Sequence, residues 1–161
     1  MTFSLSKCNE LIQLSEKKSQ WTIVHVEGRR SYKACSIDLD LDLQNDIKHY
    51  CKSNLGLNIK NVNTIILKYE VNDFFERHID HDRYIEFNKD FLYNINVRLN
   101  DDFEGGEFWL NDSPHHRSVG EVYHYKSTEW HEVKKVTSGV RYTALFYLRH
   151  RDLIGIDDKL I

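Results

Sequence analysis

A chain of 161 residues fits one domain, and its 40% apolar and 12% aromatic residues suffice for a sizeable core. A net charge of -3, with one proline and seven glycines, excludes a polybasic or linker-rich chain and gives no reason to expect nucleic acid or an anionic membrane as partner. No apolar run approaches the roughly 18–20 residues of a membrane span, the N-terminus lacks the pattern of a signal peptide, and Cys8, Cys35 and Cys51 have no paired spacing; reduced thiols in a cytoplasmic protein are expected, with the nucleus also open.

In chain order, Leu5 to Lys18 places Leu5, Cys8, Leu11, Ile12 and Leu14 near helical spacing. Trp21 to Val26 and Tyr32 to Ile37 read as short strands. Asp42 to Asn54 reads as a second helix, with Leu43, Ile47, Tyr50 and Cys51 on one face and Gly56 just beyond. From Asn61 onward the pattern is strand after strand: Val62–Glu70, Phe74–His81, Phe91–Leu99, Glu107–Leu110, Ser118–Tyr125, Glu129–Val136 and Val140–His150. Turn signals at Asn100-Asp101-Asp102, Gly105-Gly106, Asn111 to Pro114 and Ser138-Gly139 separate several of them. Such spacing predicts a sandwich or jelly roll. In Phe91–Leu99 one parity is a core face, whereas the other carries Asn94, Asn96 and Arg98 and must look into solvent or a wet cavity.

The chemistry concentrates at His78-Ile79-Asp80 and at His131. Residues i and i+2 of a strand point to one side, so His78 and Asp80 can reach one metal from a strand or strand end, with His131 as third ligand. Two imidazoles and one carboxylate leave open positions on a metal and suit iron(II). Ten positions after His131 stands Arg141, a fixed cation able to hold an anionic co-substrate. His81 has the opposite strand parity to His78, and it and Asp82 read as outer positions; His115-His116 reads as a solvated loop.

Three stretches keep a known order and spacing: Tyr69 to Asp80, Leu99-Asn100-Asp101-Asp102 through Gly105-Gly106-Glu107, and His131-Glu132-Val133 through Arg141-Tyr142. Together they resemble the Fe(II)/2-oxoglutarate-dependent dioxygenases, within them the prolyl 4-hydroxylase-like group. The resemblance implies a mainly β fold with N-terminal helices, a double-stranded β-helix or cupin-like jelly-roll barrel. It would form a single domain over 1–161, with support in 1–60, barrel core in 61–150 and a C-terminal tail in 151–161. It makes His78, Asp80 and His131 the iron ligands and sets Arg141 on the distal carboxylate of 2-oxoglutarate. Tyr69 would line the co-substrate pocket, and Thr143, on the same strand face as Arg141, would add a hydroxyl. Arg98 stands where many relatives have a tyrosine, and is either a second cation on the co-substrate or a contact to an acidic substrate. Asn94, Asn96 and Trp109 are candidates for the substrate mouth, Trp109 having core packing as its other reading.

The implied activity is hydroxylation of a C–H bond with release of succinate and CO2, using Fe(II), 2-oxoglutarate and O2, with ascorbate as an optional reductant. A carboxylate at Asp80 points to hydroxylation rather than halogenation. The expected substrate is a prolyl side chain of a protein or peptide, with lysyl second; the enzyme would act as a monomer or homodimer, without nucleic acid or membrane. Two other readings stay open: a hydroxylase of a free amino acid or other small metabolite, and a jelly-roll binding module holding a structural metal.

Overall fold

Helical spacing of apolar residues places the two helices of the computed structural model. It describes residues 1–18, 20–81 and 90–154; Asp82 and residues 155–161 of the expected tail lie outside them. Helix α1 (Leu5–Lys18) turns Cys8, Leu11 and Ser15 inward, one and two turns apart on one face. Helix α2 (Leu41–Leu55) starts where the Asp40 carboxylate accepts the Leu43 N–H at 2.7 Å and ends at Gly56, which takes the left-handed conformation at φ 70°. It buries Leu43, Ile47, Tyr50 and Cys51.

Twelve strands follow among the described residues: β1 (Thr22–Val26), β2 (Arg30–Ser36), β3 (Asn63–Tyr69), β4 (Phe74–His78), β5 (Phe91–Arg98), β6 (Phe103–Gly105), β7 (Phe108–Leu110), β8 (Ser113–Pro114), β9 (Val122–Lys126), β10 (His131–Val133), β11 (Val136–Gly139) and β12 (Arg141–Arg149). One antiparallel sheet runs β8-β7-β10-β4-β2-β3-β12-β5-β9, with β1 paired to β2; β6 and β11 form a second, two-stranded sheet. The large sheet curls into the half-barrel of a jelly-roll double-stranded β-helix.

Three sequence expectations are corrected. Strand β4 ends at His78, not His81, because the N–H groups of Asp80 and His81 leave the ladder and both donate to Ser127 O at 2.9 Å. The expected strand Glu129–Val136 is two strands, β10 and β11; between them Lys134 N–H turns aside to Glu107 O at 2.9 Å. Ser118–Glu121 is a turn closed by Glu121 N–H on Ser118 O at 3.1 Å, so β9 begins only at Val122. The start of the expected tail is docked: Leu153 is buried and bridges Ile59, and Ile154 N–H donates to Asn58 O at 2.9 Å.

Strand alternation gives the large sheet two unlike faces. Cys35, Ile66, Ile95, Val97, Ala144, Phe146 and Leu148 point to the side covered by α1 and α2 and join Leu11, Ile47 and Cys51 in the main core. The other parity (Tyr32, Ile65, Leu67, Tyr69, Asn94, Asn96, Arg141, Thr143 and Leu145) faces a cavity. Thus Asn94 and Asn96 are not solvated; they are 2% and 4% exposed and look inward. No described helix is long and apolar enough to cross a membrane.

Phe146 is fully buried at the centre of the helix-covered face, edge-on to Phe3 at 6.2 Å. We expect Phe146→Ala to cost about 3–5 kcal/mol in urea unfolding, the usual penalty for emptying an aromatic core site. Wild-type stability in that variant would remove the face from the core.

Candidate active site

Sheet register builds the candidate metal centre. His131 on β10 pairs directly with His78, the last residue of β4, and their rings lie 4.2 Å apart. Asp80 sits past the strand end, fixed through its own N–H on Ser127 O. Its Oδ1 is 3.4 Å from His78 Nε2 and its Oδ2 is 3.3 Å from His131 Nε2. Ligand atoms of all three side chains fall within 4.8 Å of one another.

Backbone carbonyls orient both imidazoles. His78 Nδ1–H donates to Glu76 O at 2.7 Å, and His131 Nδ1–H donates to Glu129 O at 2.9 Å. A carbonyl only accepts, so each Nδ1 carries the proton and, in its neutral form, each ring turns an Nε2 lone pair to the centre. Asn94 Nδ2 donates to Asp80 Oδ2 at 2.5 Å. Burial alone would raise the Asp80 carboxyl, but hydrogen bonds and positive charge from His131 and His78, in their protonated, metal-free forms, outweigh it and hold the group well below the usual carboxylate range. Two imidazole nitrogens and a carboxylate oxygen, preset in this way, fit Fe(II).

The triad lies in a cavity of about 700 Å³, whose lining also includes Arg141, Tyr69, Thr143, Asn94 and Asn96. Arg141 pairs across the sheet with Tyr69, and its guanidinium lies 5.3 Å from that ring's centroid. The residue is 5% exposed and has no carboxylate partner among the described residues. Burial lowers its pKa from the ordinary value, yet a guanidinium remains charged. Thr143 Oγ1 and Asn96 Oδ1 are buried in the same cavity without hydrogen-bond partners. An uncompensated buried cation is costly, and a bidentate carboxylate is the ligand that relieves it. The residues present therefore fit a dicarboxylate co-substrate as well as the metal.

Two expected site residues lie elsewhere. Arg98 is at the end of β5, where its Nε donates to Asn100 O at 2.9 Å and its guanidinium covers Phe103 at 5.0 Å. It does not line the metal cavity; it lines a smaller one of about 210 Å³, which shares Arg141. Trp109 is likewise corrected: alternation in β7 turns Phe108 into the metal cavity and Trp109 away, under Lys134 Nζ at 4.5 Å. His81 keeps to the outside of the triad, its Nδ1 being 3.3 Å from Phe91 O. His115 is not simply a solvated loop residue: it is half-buried against Phe108 and Tyr123, and accepts from Arg117 Nε at 2.9 Å.

Sequence reasoning passed over Phe75, whose ring stacks on His78 at 3.6 Å and 15°, and Tyr125, 4.7 Å from His131. It also passed over Arg30 and Tyr32, which line the cavity from β2. Phe75, three residues before the first ligand, and the Tyr123/Tyr125 alternation were the available signals.

The family described as the 2OG-Fe(II) oxygenase superfamily matches residues 64–149. The chain belongs to that superfamily. No curated protein matches it. Among solved structures it is similar to a Pseudomonas putida prolyl-4-hydroxylase, with a TM-score of 0.74 and 15% identity over 92% of this chain and 88% of the other. A collagen prolyl hydroxylase of Paramecium bursaria Chlorella virus-1, in complex with 2-oxoglutarate, gives a TM-score of 0.70 and 17% identity over 90% of each chain. A Trichoplax adhaerens prolyl hydroxylase, in complex with a peptide fragment of the hypoxia-inducible factor oxygen degradation domain, gives 0.64 and 19% over 91% and 80%. At these identities the likeness is one of fold.

Gly106 packs against the Arg141 end of the cavity. Its φ is 63°, and a Cβ there would stand 2.9 Å from Val136 Cγ2 and 3.1 Å from Arg141 Cδ. Gly106→Ala is expected to displace the guanidinium and raise the KM for 2-oxoglutarate several-fold in a succinate assay. An unchanged KM in a folded variant would separate Gly106 from the co-substrate site.

Proposed function

We propose that this chain hydroxylates a C–H bond of a prolyl side chain in a protein or peptide, with lysyl second, converting 2-oxoglutarate to succinate and CO2. One observation carries the reading: an Nε2/Nε2/carboxylate triad shares a cavity with a buried arginine that has no carboxylate partner among the described residues. Fe(II), bound by His78, Asp80 and His131 and supplied with 2-oxoglutarate and O2, provides the oxidising chemistry.

The chain's own residues provide position. Glu76 O and Glu129 O keep both imidazoles in the ligating tautomer, and Asn94 holds one oxygen of Asp80. Arg141 grips the far carboxylate of the keto acid, with Thr143 and Tyr69 beside it in the cavity. Phe75, Phe108 and Tyr125 wall the triad with apolar surface, which keeps bulk water from the reacting carbon. A module holding metal for structure alone has no need of an open ligand face or of a buried anion clamp. The prolyl assignment draws on the fold shared with enzymes that are named prolyl hydroxylases, one of them in complex with a peptide.

Succinate formation from 2-oxoglutarate that depends on added Fe(II) tests the oxygenase chemistry; mass spectrometry of proline- and lysine-containing peptides for a gain of one oxygen tests the substrate. Asp80→Ala is expected to abolish both metal binding and succinate formation. Arg141→Ala should keep the metal but raise the KM for 2-oxoglutarate by about tenfold or more, the scale of one lost charge-assisted hydrogen bond. Wild-type affinity for 2-oxoglutarate in Arg141→Ala would move the anion clamp to another residue.

A further inference from the structure

Charge along the cavity wall is one-sided. Among the described residues that line it, the acid is Asp80, which belongs to the metal centre; the cations are Arg30, Arg141 and Arg149, and neither a glutamate nor a lysine is present. Arg141 is accounted for by the co-substrate. Arg30 is not accounted for by anything in the proposed chemistry.

Its place is specific. Arg30 opens β2 and pairs across the sheet with Phe75 of β4. Its guanidinium carbon lies 5.4 Å from the centroid of the Phe75 ring, and that ring is stacked at 3.6 Å on His78, an iron ligand. Strand alternation aims Arg30 into the cavity together with Tyr32, while its neighbour Ser31 turns away to bond Asp73. Arg29, one residue earlier, is the member of the pair that meets a carboxylate, with Nε 3.6 Å from Glu76 Oε1. The Arg30 side chain is half-buried and has no hydrogen-bond or ion-pair partner among the described residues. The aromatic face restricts the guanidinium while leaving its N–H fork free, a preorganised receptor for a planar anion.

We propose that Arg30 binds a carboxylate of the primary substrate, and so selects substrates that place a carboxylate a short way from the carbon to be hydroxylated. The proposal rests on the oxygenase reading and deepens it. Two sources carry that chemistry: an aspartate or glutamate next to the target residue in a peptide, and the carboxylate of a free amino acid. A substrate cation beside the reacting carbon meets Arg30 as a like charge, which ranks a lysyl side chain below a prolyl one at this site.

The test uses the Fe(II)-loaded enzyme with 2-oxoglutarate and O2. One arm takes acetylated, amidated proline peptides in which a residue flanking proline is Glu, Gln or Lys; the other compares free L-proline with L-prolinamide. Stimulated succinate formation and gain of one oxygen give kcat/KM for each. Wild-type enzyme should favour the carboxylate member of a pair over its amide by about tenfold or more, carried mainly in KM, the scale of one charge-assisted hydrogen bond. The arm showing the preference identifies the source. Arg30→Gln should erase the ratio, and Arg30→Glu should turn the peptide preference toward Lys. Equal use of Glu and Gln peptides and of proline and its amide by wild-type enzyme, or a preference that survives in Arg30→Gln, overturns the assignment. So does an enzyme that turns over 2-oxoglutarate but responds to no carboxylate-bearing probe. Absence of any Fe(II)-dependent succinate, with or without probes, fails the oxygenase reading itself.

Discussion

The cross-strand pairing of His78 with His131 is the constraint on which the site depends. Sheet hydrogen bonding fixes this register, and side-chain period 2 means that a slip by one residue would turn an imidazole to the opposite face. Because His131 also pairs with Leu110 on its other side, β10 is held from both edges. The two rings thus reach each other without long flexible side chains, and the ligand geometry inherits the rigidity of the ladder. Carbonyl acceptors two residues before each histidine complete the arrangement by the same local device used twice.

The two faces of the sheet divide stability from chemistry. Helices α1 and α2 cover one face with a dry core around Ile47, Ile66, Ile95 and Phe146. That burial allows the opposite face to carry groups a core would reject, among them Asn94, Asn96, Thr143 and Arg141. Alternate residues of β12 show the division within one strand: Ala144, Phe146 and Leu148 pack under the helices, and Arg141, Thr143 and Leu145 line the cavity.

Much of this was legible in the sequence because it depends on period and spacing. Helix α1 has the bounds its apolar spacing predicts, and the polar parity of Phe91–Leu99 signalled a face outside the core, in solvent or in a wet cavity, of which the structure has the second. The bringing together of His78, Asp80 and His131 followed from the motif. What escaped depends on three-dimensional neighbours. Arg98 shares parity with Asn94 and Asn96, but it stands where β5 ends and its guanidinium is taken up by a backbone carbonyl. Trp109 missed the mouth because a three-residue strand turns only its alternate members inward. The break between β10 and β11 follows from backbone bonds to Glu107 and Asp73, distant partners that no local pattern announces. Arg30 was passed over for the same reason: its significance lies in the stack through Phe75 to His78, which exists only after β2 and β4 pair.

Ser127 carries a different kind of consequence. Its carbonyl accepts from both Asp80 and His81, and its own N–H and Oγ–H anchor it to Leu92 O and Phe91 O. The Asp80 carboxylate is therefore held in place by a main-chain atom of a residue outside the triad of His78, Asp80 and His131. Every amino acid supplies a carbonyl, so most of this clamp is independent of residue type. Position 127 can drift among small side chains while the centre keeps its shape, and a comparison of related sequences would leave the clamp unseen.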